Sequence, residues 1–159
     1  MVRLATSEKG DENMAYSQCL ISQGNRILLV TVRQDGQNRH FLPGGSALEE
    51  ENLEEAALRH LYRQCGVQGR LLRILCTGFL PGTGQPCVTY EAEIGKGQQP
   101  TIRNLSQEQR LTFCGADFFT LKELSERDRA MLWAAGLAAV PAFFQELERF
   151  GGAISYPVL

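Results

Sequence analysis

Between Leu42 and Val67 the chain reads LPGGSALEEENLEEAALRHLYRQCGV, and side chains able to do chemistry are concentrated there. Glu49, Glu50, Glu51, Glu54 and Glu55 crowd a loop and the first turn of a helix. Such a cluster either balances the positive end of the helix dipole or offers oxygens to a hard dication. His60, Arg63 and Gln64 follow at i, i+3 and i+4, a spacing that puts all three on one helix face. They present hydrogen-bond donors, and a guanidinium matches a phosphate with two parallel bonds. His60 reads as a surface or partly buried packing residue, or else the three together form a face that binds a phosphate or another anion directly. Arg59 has two acids to choose from, Glu55 one turn before it and Glu51 at the helix start. Glu51 reads equally as a helix-end charge and as a functional carboxylate. Gly44 and Gly45 read as a turn, as a strained loop that lets a ligand approach the backbone, or as both.

These residues need a scaffold, and its punctuation is legible. Asn52 to Gln64 has Leu53, Ala57, Leu58 and Leu61 at helical spacing, with Gly66 just past the end as a stop. Ahead of it, Ala15 to Ser22 and Arg26 to Arg33 read as two strands around Gln23-Gly24-Asn25. Gln34 to Asn38 is a second turn, and Arg39 to Leu42 a short strand. After the helix, Arg70 to Leu80 and Pro86 to Ile94 predict a long hairpin around Pro81 to Gln85. Gly95 to Pro100 is a loop and Leu111 to Thr120 a further β-rich run. From Leu121 the pattern turns helical, and Pro141 should split it into two helices. Met131, Leu132, Trp133, Phe143 and Phe144 supply an apolar face there, for core packing or a dimer contact. The tail Ala153 to Leu159 is expected to dock on its own domain or on a second copy.

Composition narrows the partners. The 159 residues are 43% hydrophobic and 21% charged, values of one globular domain rather than a disordered chain. Sixteen basic against eighteen acidic residues leave a formal charge of −2, without the basic excess that grips a nucleic-acid backbone. The apolar stretch Met131 to Phe144 is too short to span a membrane and is broken by Gly136 and Pro141. The five cysteines are odd in number and lack a CxxC pair, so all five are expected as buried free thiols in a reducing compartment. Residues 1–13 lack the apolar core of a signal peptide and read as a frayed lead-in, with cytoplasmic location as the expectation. Residues 14–159 then form the single domain, including a helical extension over 121–150.

Gly45, Glu51, Arg59, Leu61, Gly66 and Val67 stand at the spacing of six of the nine defined positions in the box of the Nudix hydrolases, G-x5-E-x7-R-E-U-x-E-E-x-G-U with U a bulky aliphatic. Phe41-Leu42-Pro43-Gly44 also resembles that family's lead-in, and the likeness runs from about Ala15 to Leu124. The resemblance implies an α/β (α+β) fold, a mixed β-sheet sandwiched between helices, here with extra C-terminal helices. It further implies a pyrophosphohydrolase acting on a nucleoside diphosphate linked to another moiety, with Mg or Mn as cofactor. On this reading Glu51, Arg59 and the loop acid Glu108 are the catalytic candidates, and Gly44, Gly45, His60, Arg63 and Gln64 the substrate-binding ones. The family's three metal-binding glutamates are here His60, Arg63 and Gln64, so no metal ligand is expected at those positions. Glu51 and Glu55 are the remaining metal candidates. Two other functions compete with hydrolysis: a catalytically silent nucleotide- or phosphate-binding module, and a dimerising structural protein. The expected partner is a small nucleotide or phosphate ligand, with a homodimer as a further option.

Overall fold

Strand β1 (Tyr16–Gln23) is buried from Ser17 to Ile21. A strand buried on both faces must be covered on both, and that requirement organises the fold. In a computed structural model, which describes residues 14–102 and 112–150, β1 lies at the middle of a seven-stranded mixed sheet. The other strands are β2 (Arg26–Gln34), β3 (Gln37–Phe41), β4 (Gly44–Ser46), β5 (Gly69–Phe79), β6 (Pro86–Ile94) and β7 (Phe113–Thr120). The main order is β3-β2-β1-β6-β5, with β4 added to the start of β1 and β7 added to β2. β1 and β6 run parallel, while the other strand pairs are antiparallel.

One face of the sheet is covered by helix α1 (Leu53–Cys65). Cys19, Ile21, Leu28, Val30, Leu61 and Val67 form the core between them. The start of α1 is secured by a capping box: the Asn52 side chain accepts from Glu55 N at 2.8 Å, and Glu55 Oε1 accepts from Asn52 N at 3.1 Å. Gly66 ends it in the left-handed region (φ 69°), as its position predicts.

The opposite face is covered by α2 (Glu126–Ala134) and α3 (Pro141–Arg149). Leu20, Ile27 and Leu29 meet Leu121, Leu132, Leu137 and Phe143 there. Pro141 opens α3, where its missing N–H costs nothing. Gly136 makes the preceding break with φ 101°; a Cβ on it would stand 2.7 Å from Cys76 Cβ. Among the described residues no helix is long and apolar enough to cross a membrane.

Three local expectations change. The turn expected over Gln34 to Asn38 shrinks to Asp35 and Gly36, both at positive φ, because this pair closes a two-residue hairpin matching the strand twist. Pro43-Gly44-Gly45 is not only a turn: Gly44 and Gly45 enter β4 and pair with β1. The cysteines are all free, but only Cys19, Cys65 and Cys87 are buried. Cys76 is half-buried and Cys114 is exposed, the latter on β7, which pairs with β2 on one side. The loop acid Glu108, the lead-in 1–13 and the tail Ala153 to Leu159 lie outside the described residues.

Candidate functional site

The site is built where α1 crosses β4. In β4, Gly44 stands opposite Gln18 and Gly45 opposite Ser17 of β1. A Cβ at Gly44 would lie 2.5 Å from Gln18 Cβ, and one at Gly45 would lie 2.4 Å from the His60 ring. Neither glycine has a positive φ. What demands glycine here is close approach, of the β1 chain at Gly44 and of the His60 ring at Gly45, and of the sequence readings the strained loop is the one not seen.

That room brings the α1 face onto the strand. Gln64 accepts from Gly44 N at 3.0 Å through Oε1 and donates to Gly44 O at 2.9 Å through Nε2. The amide thus bonds β4 as a neighbouring strand would. One turn earlier, His60 Nε2 lies 2.9 Å from Ser46 O. With a carbonyl as partner, Nε2 must carry the proton, so its 3.3 Å contact with Arg59 Nη2 sets donor against donor. Burial pushes the His60 imidazole below the usual histidine value, and the charges of Arg59 and Arg63 push the same way.

Arg59 chooses Glu51 over Glu55. Its Nε donates to Glu51 Oε2 at 2.7 Å and its Nη2 to Glu51 Oε1 at 2.9 Å. Glu51 Oε1 also accepts from Leu48 N at 2.9 Å, closing the loop before the helix. The Arg59 hydrogen bond holds the Glu51 carboxyl below its usual range, and the Leu48 bond adds to this. Glu55 is occupied at the helix cap instead. Glu49 and Glu50 are exposed beside this loop. Arg63 is exposed too, and it takes part in no ion pair among the described residues. Among the described residues, no cluster of three or more histidine, cysteine, aspartate or glutamate side chains is placed to hold a metal.

A feature that sequence reasoning missed lies on the other face of the sheet. A cleft of about 220 Å³ opens between the strands and α2, lined among others by Gln18, Phe41, Thr89, Arg127 and Met131. At its edge His40 Nδ1 meets Asp128 Oδ2 at 3.0 Å, tying β3 to α2. The only sequence signal was the apolar face containing Met131 and Leu132, which reads as core.

An antiparallel-plus-parallel sheet with a glycine edge strand locked to one covering helix defines an α+β sandwich with a loop-and-helix site. Its solved counterparts are Nudix hydrolases. One from Nitrosomonas europaea superposes with a TM-score of 0.62 at 14% identity, over 91% of this chain and 76% of that one. A UDP-X diphosphatase gives 0.60 at 16% identity, over 91% and 73%. An ADP-ribose pyrophosphatase from Streptococcus suis gives 0.57 at 17% identity, over 91% and 96%. No family profile and no curated protein matches the sequence. The chain has the fold of the Nudix hydrolases.

Proposed function

We propose that the α1–β4 face binds the phosphates of a nucleoside diphosphate linked to another moiety, and that it does so without hydrolysing them. The fold supports the ligand class, since the solved counterparts include an ADP-ribose pyrophosphatase and a UDP-X diphosphatase. One observation carries the loss of hydrolysis. At the three positions where the resemblance places metal-binding glutamates, this chain has an imidazole bonded to Ser46 O, an exposed guanidinium, and an amide bonded twice to Gly44.

That donor set does not fit Mg²⁺ or Mn²⁺. Hard dications take oxygen ligands, preferably anionic, and none of the three side chains supplies a carboxylate. Arg63 adds a fixed positive charge; at about 4 Å, even with an effective dielectric near 20, such a charge repels a dication by several kcal/mol. Glu51 is bound to Arg59 and Glu55 to the helix cap. Arg63 is left to meet an anion, and its planar fork suits a phosphate.

The test is a thermal-shift and phosphate-release panel with ADP-ribose, UDP-sugars and nucleoside triphosphates. Stabilisation that persists in chelator and disappears in Arg63→Ala is the expected result. Turnover with Mg²⁺ or Mn²⁺ that Glu51→Gln abolishes would overturn it in favour of a hydrolase using Glu51, with Glu108 as a further acid.

A further inference from the structure

Three sulfur-bearing side chains line the cleft between the sheet and α2: Cys76, Cys87 and Met131. In the β5–β6 pairing Cys76 stands opposite Thr89, and Gly78 opposite Cys87. Residues two apart on a strand share a face, so both thiols lie on the cleft side as diagonal neighbours. Such neighbours stand about 7–8 Å apart at Cα, too far for a disulfide without backbone movement. Both cysteines are free. Gly78, next to Cys76 along β5 and across from Cys87, leaves the space beside both thiols open: a Cβ there would meet nothing within 4 Å. The Cys76 thiol has only weak contacts, to Ala134 O at 3.8 Å and to Thr77 O at 3.9 Å. Burial pushes the Cys87 thiol up to about 11, and the neighbouring Cys76 adds to this. A thiol that keeps its proton so firmly yields it to a strongly thiophilic ion, not to a hard dication. Arg127 lines the same cleft; its Nη1 is buried with no hydrogen-bond partner, and it takes part in no ion pair among the described residues.

We propose that Cys76 and Cys87 form a two-thiolate site for a soft monovalent metal ion of the copper(I) class, with the Met131 thioether in the facing wall. Thiolate and thioether sulfurs select such ions over Mg²⁺, Ca²⁺ or Mn²⁺, which prefer oxygen. Binding replaces two S–H bonds by two S–metal bonds, releases two protons and leaves the complex with one net negative charge. Arg127 stands in the same cleft to balance that charge. This site lies on the sheet face opposite α1 and does not depend on the phosphate reading at Arg63.

The experiment is anaerobic titration of the reduced full chain with copper(I) held by bicinchoninate, whose colour reports the copper lost to the protein. The wild type should take one ion per chain from the chelator and release about two protons, read with a pH indicator in weak buffer. Cys76→Ser and Cys87→Ser should each weaken binding about 100-fold or more, beyond the loss expected of a supporting residue. Cys114→Ser, which alters the exposed thiol on β7, should change nothing. Gly78→Leu fills the space beside both thiols while keeping them, and should also weaken binding. Failure of the wild type to compete with the chelator would overturn the proposal, as would release of a single proton. So would an affinity unchanged by Cys76→Ser, by Cys87→Ser or by Gly78→Leu, or one lost in Cys114→Ser. Should a serine variant fail to fold, the proton count and the Gly78→Leu result decide the matter alone.

Discussion

Gln64 holds Gly44 by both of its backbone groups, at 3.0 Å and 2.9 Å. A side chain from the last turns of α1 thereby acts as the missing neighbour of a three-residue strand. Gln64→Ala should cost about 1–3 kcal/mol, since two backbone groups lose a partner. Gln64→Glu should also destabilise, because its carboxylate cannot donate to Gly44 O. Urea denaturation of the two variants checks this; equal stability to wild type would mean that β4 does not depend on the amide.

Gly45 and His60 should be energetically coupled. A Cβ on Gly45 lies 2.4 Å from the imidazole ring, so Gly45→Ala forces the ring out and should cost about 1–3 kcal/mol. Removing the ring first, with His60→Ala, should make Gly45→Ala much milder. A double-mutant cycle in denaturant measures the coupling, and additive effects would contradict the packing.

The pH dependence follows from two groups whose folded values are depressed. Neutral His60 is favoured in the fold, so the stability it contributes is complete above the ordinary histidine value near 6.5 and declines as pH falls below it. Ionised Glu51 contributes stability above the ordinary carboxylate range, lost as pH falls through its lowered folded value. The wild type should therefore lose stability in two acid steps. His60→Gln should remove the step just below neutrality and Glu51→Gln the lower one, each visible in melting temperature against pH.

Restoring acids tests the reading of the α1 face. His60→Glu, Arg63→Glu and Gln64→Glu together should raise Mn²⁺ affinity well above that of the wild type, because three carboxylates then share one helix face. Titration followed by Mn²⁺ electron paramagnetic resonance reads this directly. A folded triple variant without new binding would show that the three positions do not converge.

Gly136→Ala should destabilise by about 2 kcal/mol or more. Its φ of 101° disfavours any side chain, and the added Cβ would press on Cys76 from β5. Chemical denaturation checks it, and a neutral result would place the break between α2 and α3 elsewhere.

Much of this fold was legible along the chain because local periodicity and punctuation carry it. The hydrophobic stripe of α1, its stop at Gly66, the β1–β2 and β5–β6 hairpins and the start of α3 at Pro141 all follow from residues close in sequence. The box spacing likewise marked Gly45, Glu51 and Arg59 as parts of one unit. Strand β4 has no local signature because two glycines carry no apolar alternation; only pairing with Tyr16, Ser17 and Gln18 of β1 makes them a strand.

The sequence by itself determined which side chains share the α1 face and that three of them are not carboxylates. Only the tertiary structure decided what each one does. Arg59 could reach two acids until Glu55 was drawn into the helix cap. Gln64 and His60 became supports because β4 runs beneath them, and Arg127 became a cleft residue because α2 folds over the sheet's far side. Helical spacing fixes direction within one element, but a partner tens of residues away is chosen by packing, which no local pattern encodes.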